Sequence, residues 1–121
     1  MSTSGWGEDY TIVAGADLSG QQYKMIGATG VLATSPTNPI GVVQNKPQSG
    51  EHATMRVCGI SKITMAVSVG AGAFFGQSAA TSGMGAIVTS GGMAFGRIVT
   101  GCDSGMIATG YLYGAPTYIA L

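Results

Sequence analysis

One histidine, two cysteines and five side-chain carboxylates are what this chain of 121 residues offers for nucleophilic, metal or acid–base chemistry of the usual kinds. His52 follows Glu51, and once a strand has begun there, alternation turns the two side chains to opposite faces. No serine sits in a G-x-S-x-G turn, and neither Cys58 nor Cys102 stands in a context that marks a nucleophile. His52 therefore reads as a solvated turn residue. With His52, Cys58 and Cys102 as the soft ligands and no recurrent spacing among them, a zinc site is not expected. Glu8 and Asp9 are adjacent, and Asp17, Glu51 and Asp103 are scattered over turn-like segments, so no carboxylate pair flanks a common point. The glycine run Gly70-Ala71-Gly72-Ala73-Phe74-Phe75-Gly76 has its third glycine one residue too late for a dinucleotide loop, and no Walker-type lysine follows any such run. Lys24, Lys46, Arg56, Lys62 and Arg97 are dispersed and balanced by acids, which does not suit a phosphate backbone. The chain is thus expected to have no catalytic residues, no cofactor, no metal, no small-molecule substrate and no nucleic-acid partner.

The two cysteines are too few for a disulfide scaffold and lack C-x-x-C spacing. They are expected to be small, buried or half-buried thiols in a reducing cytoplasm. A bond between them, or between subunits, is the other reading.

What the chain has in place of chemistry is an unusual surface composition. Only 8% of residues are charged, against about a quarter in an ordinary soluble domain, and the five basic and five acidic side chains cancel. Such a chain lacks the self-repulsion that keeps small domains apart. Beyond Ile63 the only Asp, Glu, Lys or Arg residues are Arg97 and Asp103. Interface centres are depleted of charge in the same way, so this half is either covered by neighbouring subunits or exposes a Gly/Ser/Thr surface that is polar without charge. No run approaches the roughly 18 continuous apolar residues of a membrane helix. The N-terminus, with no basic start and no apolar core, does not read as a secretory signal.

The elements that would position these residues read as strands, and one domain accounts for the length. Residues 1–10 look like a flexible arm, with Trp6 between two glycines either anchoring in a neighbour's pocket or folded back. Its removal over residues 1–9 is expected to leave the domain folded. A β domain follows over 11–112 and an apolar tail over 113–121. Tyr10 to Gly15 can form a first strand, and the turn Asp17-Leu18-Ser19-Gly20 leads to Gln22 to Ala28, where Tyr23 and Met25 alternate with Lys24 and Ile26. The proline cluster Ser35 to Pro39 is a loop. Gly41 to Gln44, the connection Lys46 to Glu51, and the alternating run from Ala53 make a hairpin, with Ala53, Met55 and Val57 on one face and Thr54, Arg56 and Cys58 on the other. Arg56 should be solvated or paired across a strand. Ile63-Thr64-Met65-Ala66-Val67-Ser68-Val69 alternates large with small and should turn all four large side chains into the core. Phe74-Phe75-Gly76 reads as a short buried strand. Ser82-Gly83-Met84, Ser90-Gly91-Gly92-Met93 and Ser104-Gly105-Met106 then echo one another as turns before the β-leaning runs Ala86 to Thr89, Met93 to Val99 and Met106 to Tyr113. A short helix near Gln77 to Ser82 is the single helical candidate. The fold class expected is all-β, a small barrel or sandwich. An apolar tail such as Tyr113 to Leu121 should dock on its own sheet or a neighbour's rather than stay in water.

The hairpin also carries a likeness. Pro39-Ile40-Gly41-Val42-Val43-Gln44-Asn45-Lys46-Pro47, then Gly50-Glu51-His52-Ala53-Thr54-Met55-Arg56-Val57-Cys58-Gly59-Ile60-Ser61-Lys62, resembles the signature of the tailed-phage capsid cement, or head decoration, proteins. Ala16 to Lys24 resembles that family's opening strand, with weaker likeness over Val69 to Phe75 and Phe95 to Leu112. What the resemblance implies is a non-enzymatic virion protein, assembled in the host cytoplasm. It would bind the outer surface of an expanded bacteriophage head between major capsid subunits, as a homotrimer or else a dimer, and stabilise the capsid. No membrane partner is expected. Trp6, Tyr10, Tyr118, Ile119 and Leu121 in the arms, and Lys46 and Pro47 in the hairpin loop, are the expected subunit or shell contacts. The competing function is a small glycan-binding module on a virion or tail, using Trp6, Tyr111, Tyr113 and Tyr118 as a stacking platform.

Overall fold

The computed structural model describes residues 3–4, 7–34, 39–78, 81–88 and 92–118. Among them are nine strands and no helix: β1 (Thr3–Ser4), β2 (Gly7–Val13), β3 (Met25–Ile26), β4 (Gly41–Val43), β5 (His52–Thr64), β6 (Phe74–Gln77), β7 (Gly85–Ile87), β8 (Met93–Thr100) and β9 (Ile107–Tyr118). Every strand pairing is antiparallel, in the order β1-β2-β5-β9-β8-β6-β7, with β4 joining β3 to the first half of β5. The sheet curls into a nearly closed barrel. Met65, just past β5, forms a parallel bridge to Gly85 in β7, and the Ala66 amide donates to the Gly85 carbonyl at 2.8 Å.

β5 is the spine. Its first half lies between β2 and β4, and from Gly59 onward it pairs instead with β9. Gly59 holds a φ of +99°, which a side chain would resist, at the residue where one set of partners gives way to the other. The odd-numbered face predicted from alternation is observed throughout. Ala53 and Met55 enter a smaller core with Ala14, Leu18, Ile26 and Val43, whereas Ile63 and Met65 enter the main core with Met25, Val42, Phe75, Phe95, Ile98 and Leu112. The β3–β4 ladder is buried on both faces, because paired Met25 and Val42 look into the barrel while Ile26 and Val43 look into the smaller core. Fully burying each such side chain is worth about 1.5–3 kcal/mol.

Phe75 explains part of the glycine content. A Cβ on Gly96 would meet its Cε1 at 2.7 Å, and one on Gly110 would meet the same atom at 2.8 Å. The ring lies over two neighbouring strands that have no side chains there to displace it.

Three expectations need correction. The large face of Ile63 to Val69 is not continuous: Ile63, Met65 and Val69 are buried, but the chain bends after Met65 to close the barrel and leaves Val67 37% exposed. The strand expected over Gln22 to Ala28 shrinks to Met25–Ile26, both buried, because Tyr23 at φ +67° turns the chain. Within the expected arm, sheet pairing runs through Gly7–Val13, so Gly7 to Tyr10 belong to β2. The tail's expected docking is seen on its own sheet, where β9 continues to Tyr118, which pairs with Met93. The echoing turns are observed at Gly83 and Gly105, while Ser90 and Gly91 lie outside the described residues.

Candidate interaction surface

The groups that could do chemistry stay apart. His52 is exposed at the head of β5. Cys58 and Cys102 are free thiols on different strands' surroundings; Cys58 Sγ approaches Glu8 Oε2 at 3.8 Å, and burial, helped by the Asp103 charge, pushes the Cys102 thiol up from its ordinary value. Asp17 accepts the Ser19 amide at 3.0 Å in a local turn, and that bond holds its carboxyl below the usual range. Among the described residues no three of His, Cys, Asp and Glu come together as a metal would require. Arg56 is paired across a strand as expected: its Nε and Nη2 donate to Asp9 at 2.7 and 3.2 Å, and its Nη1 donates to the Ile60 carbonyl at 3.0 Å.

Of the residues expected to make contacts, Tyr10, Lys46 and Pro47 are placed as follows. Tyr10 is exposed on β2 opposite Met55, and Lys46 is exposed in the hairpin loop. Pro47 is a correction. It is buried, with its carbonyl accepting the Leu18 amide at 2.8 Å, so its ring is not available to a partner. Tyr118 ends β9, and Trp6, Ile119 and Leu121 lie outside the described residues.

A surface does emerge on the outside of the barrel, where register lines up one row across four strands. Ile60 of β5 pairs with Tyr111 of β9, Tyr111 with Arg97 of β8, and Arg97 with Phe74 of β6. The alternate residues Ser61, Leu112, Gly96 and Phe75 are buried, which fixes this row as outward. Tyr111 is 50% exposed. The Arg97 guanidinium lies over the Phe74 ring, 5.0 Å from its centroid, and its Nε donates to the Gly72 carbonyl at 2.8 Å. Below it run Lys62 opposite Thr109 and Thr64 opposite Ile107, with Lys62 Nζ 5.6 Å from the Tyr23 ring centroid. Residues 59–78 and 92–100, and 104–118, contain no Asp or Glu. These strand segments thus bring apolar and aromatic groups and two cations to the face, and no acid of their own. The Tyr111 and Tyr113 rings stand 6.2 Å apart and inclined at 55°, so they do not present a single flat plane to a sugar.

Sequence reasoning passed over Arg97 as one of several dispersed cations. The signal was there: a lone charge inside the apolar run Ala94-Phe95-Gly96-Arg97-Ile98-Val99, in a half of the chain almost free of charge.

No family model and no curated protein matches the chain. Among solved structures, its fold is similar to that of the N base of head fiber gp8.5 of bacteriophage phi29. The TM-score is 0.65 at 14% identity, over 90% of this chain and 96% of the other.

Proposed function

We propose that this chain is a structural protein of a bacteriophage head, and within that role a cement or decoration protein seated on the outer surface of the shell between major capsid subunits. The observation that carries the proposal is the fold shared, nearly end to end, with a protein solved as the base of a phage head fiber. Two features agree with it. The hairpin Pro39 to Lys62 resembles the cement-protein signature and forms the β4–β5 spine of the fold. The barrel's outer face is rich in exposed apolar groups and poor in charge, as an association surface is. The role is non-enzymatic, and the site of action is the virion. Assembly as a trimer would let individually weak contacts act together through effective concentration.

The test is direct. Purified protein is mixed with expanded heads that lack it, from the phage whose genome carries the sequence, and the heads are sedimented and then heated. Saturable co-sedimentation and a higher temperature of DNA release are expected. Heads that neither retain the protein nor gain heat resistance would reject the proposal.

A further inference from the structure

We infer that Arg97, framed by Phe74 and Tyr111, is the anchor by which the barrel receives a carboxylate of the shell protein's surface; this rests on the head-binding role proposed above. The two arginines of the chain are used differently. Arg56 spends its guanidinium inside the molecule, on Asp9 and the Ile60 carbonyl. Arg97 is held by one edge only, through Nε to the Gly72 carbonyl and by stacking on Phe74, and among the described residues no carboxylate meets its two terminal nitrogens. A planar fork fixed in orientation with its outer donors unfilled matches a carboxylate bidentately and loses little entropy on binding. Arginine flanked by aromatic groups is also the usual composition of an interface anchor.

Phosphate polymers are a poorer fit, since they need clustered cations and this face has Arg97 and Lys62 alone. A second copy of the chain is a poorer fit too. Asp9, Asp17 and Glu51 each accept a hydrogen bond from a neighbouring residue, and Glu8 takes the Cys58 thiol, which leaves Asp103 as the one carboxylate without such a contact among the described residues.

The experiment measures binding of wild type, Arg97→Gln, Arg97→Lys, Tyr111→Ala, Lys24→Gln and Asp103→Asn to purified expanded heads, with unfolding curves for each variant and the mass of the free protein in solution. Loss of roughly 30-fold in affinity for Arg97→Gln is expected, as for truncation of an anchor. Arg97→Lys should recover only part of it, Tyr111→Ala should lose affinity in the same direction, and Lys24→Gln, which removes a cation away from this face, should stay within about two-fold. If Arg97→Gln were to unfold, Tyr111→Ala against Lys24→Gln would decide. Wild-type binding with Arg97→Gln and Tyr111→Ala both unchanged overturns the inference and leaves the proposed function standing. If Arg97→Gln and Asp103→Asn both reduce the mass of the free protein, the face joins copies and the inference is overturned. No binding by wild type removes the proposed function and this inference together.

Discussion

At the scale of single residues, the fold turns on what is missing as much as on what is present. Phe75 was legible as a buried aromatic, and Gly96 and Gly110 fell inside β-leaning runs, but why glycine stands there was not legible, because their contact with the ring joins three strands distant in sequence. Gly110→Ala should destabilise the protein by about 1–3 kcal/mol, as overpacking does. In a Phe75→Leu background it should cost clearly less, since the added methyl would then meet only the Arg97 carbonyl at ordinary contact, 3.4 Å away. Urea unfolding of the four proteins checks this, and equal cost in both backgrounds would show that the ring is not the obstacle. Cys102 makes a second prediction. Its thiol is raised in the folded state by burial and then by Asp103, so its contribution to stability is fully present at and below the ordinary thiol range and is lost as pH rises through the folded value. Alkylation of Cys102 at neutral pH should be slower in the native protein than in the denatured chain.

At the scale of elements, alternation was read correctly wherever a strand has one buried face, and failed where tertiary geometry broke the period. The Ala53, Met55, Val57 face of β5 is an instance of the first, and Val67 of the second: nothing local announces that the chain must leave its strand after Met65 to reach Gly85. Met65→Ala should therefore cost about 2–5 kcal/mol, and Val67→Thr within about 0.5 kcal/mol, by thermal or urea unfolding. β3 was overestimated because Tyr23 adopts a left-handed conformation that its residue type does not advertise. The pairing of β2 with β5 was hidden for a related reason, since Gly7, Glu8 and Asp9 look like a solvated arm until Arg56 is seen opposite Asp9. Removing residues 1–9 takes away that carboxylate and the start of β2, so it should lower the melting temperature, contrary to the expectation of an independent arm. Asp9→Asn alone should cost about 1–3 kcal/mol, the scale of a charge-assisted hydrogen-bonded pair that is largely buried.

At the scale of the whole molecule, the all-β class and the hairpin at its centre were legible from period and turn residues. The candidate surface was not, because Ile60, Phe74, Arg97 and Tyr111 become neighbours only through strand register. Of the four, Arg97 and Tyr111 are exposed and Ile60 and Phe74 half-buried, in a chain with little charge elsewhere. One further consequence follows from how the barrel is shut. Ladders of several residue pairs join β5 to β9 and β6 to β7, yet among the described residues one parallel bridge, Met65 to Gly85, with the Ala66 amide bond beside it, joins β7 to the end of β5. The hoop has a single-point clasp. Strain on the wall should be relieved there first, so the Ala66 amide should exchange with deuterium earlier than amides along β5 and β9, and a disulfide engineered across the clasp should slow that exchange.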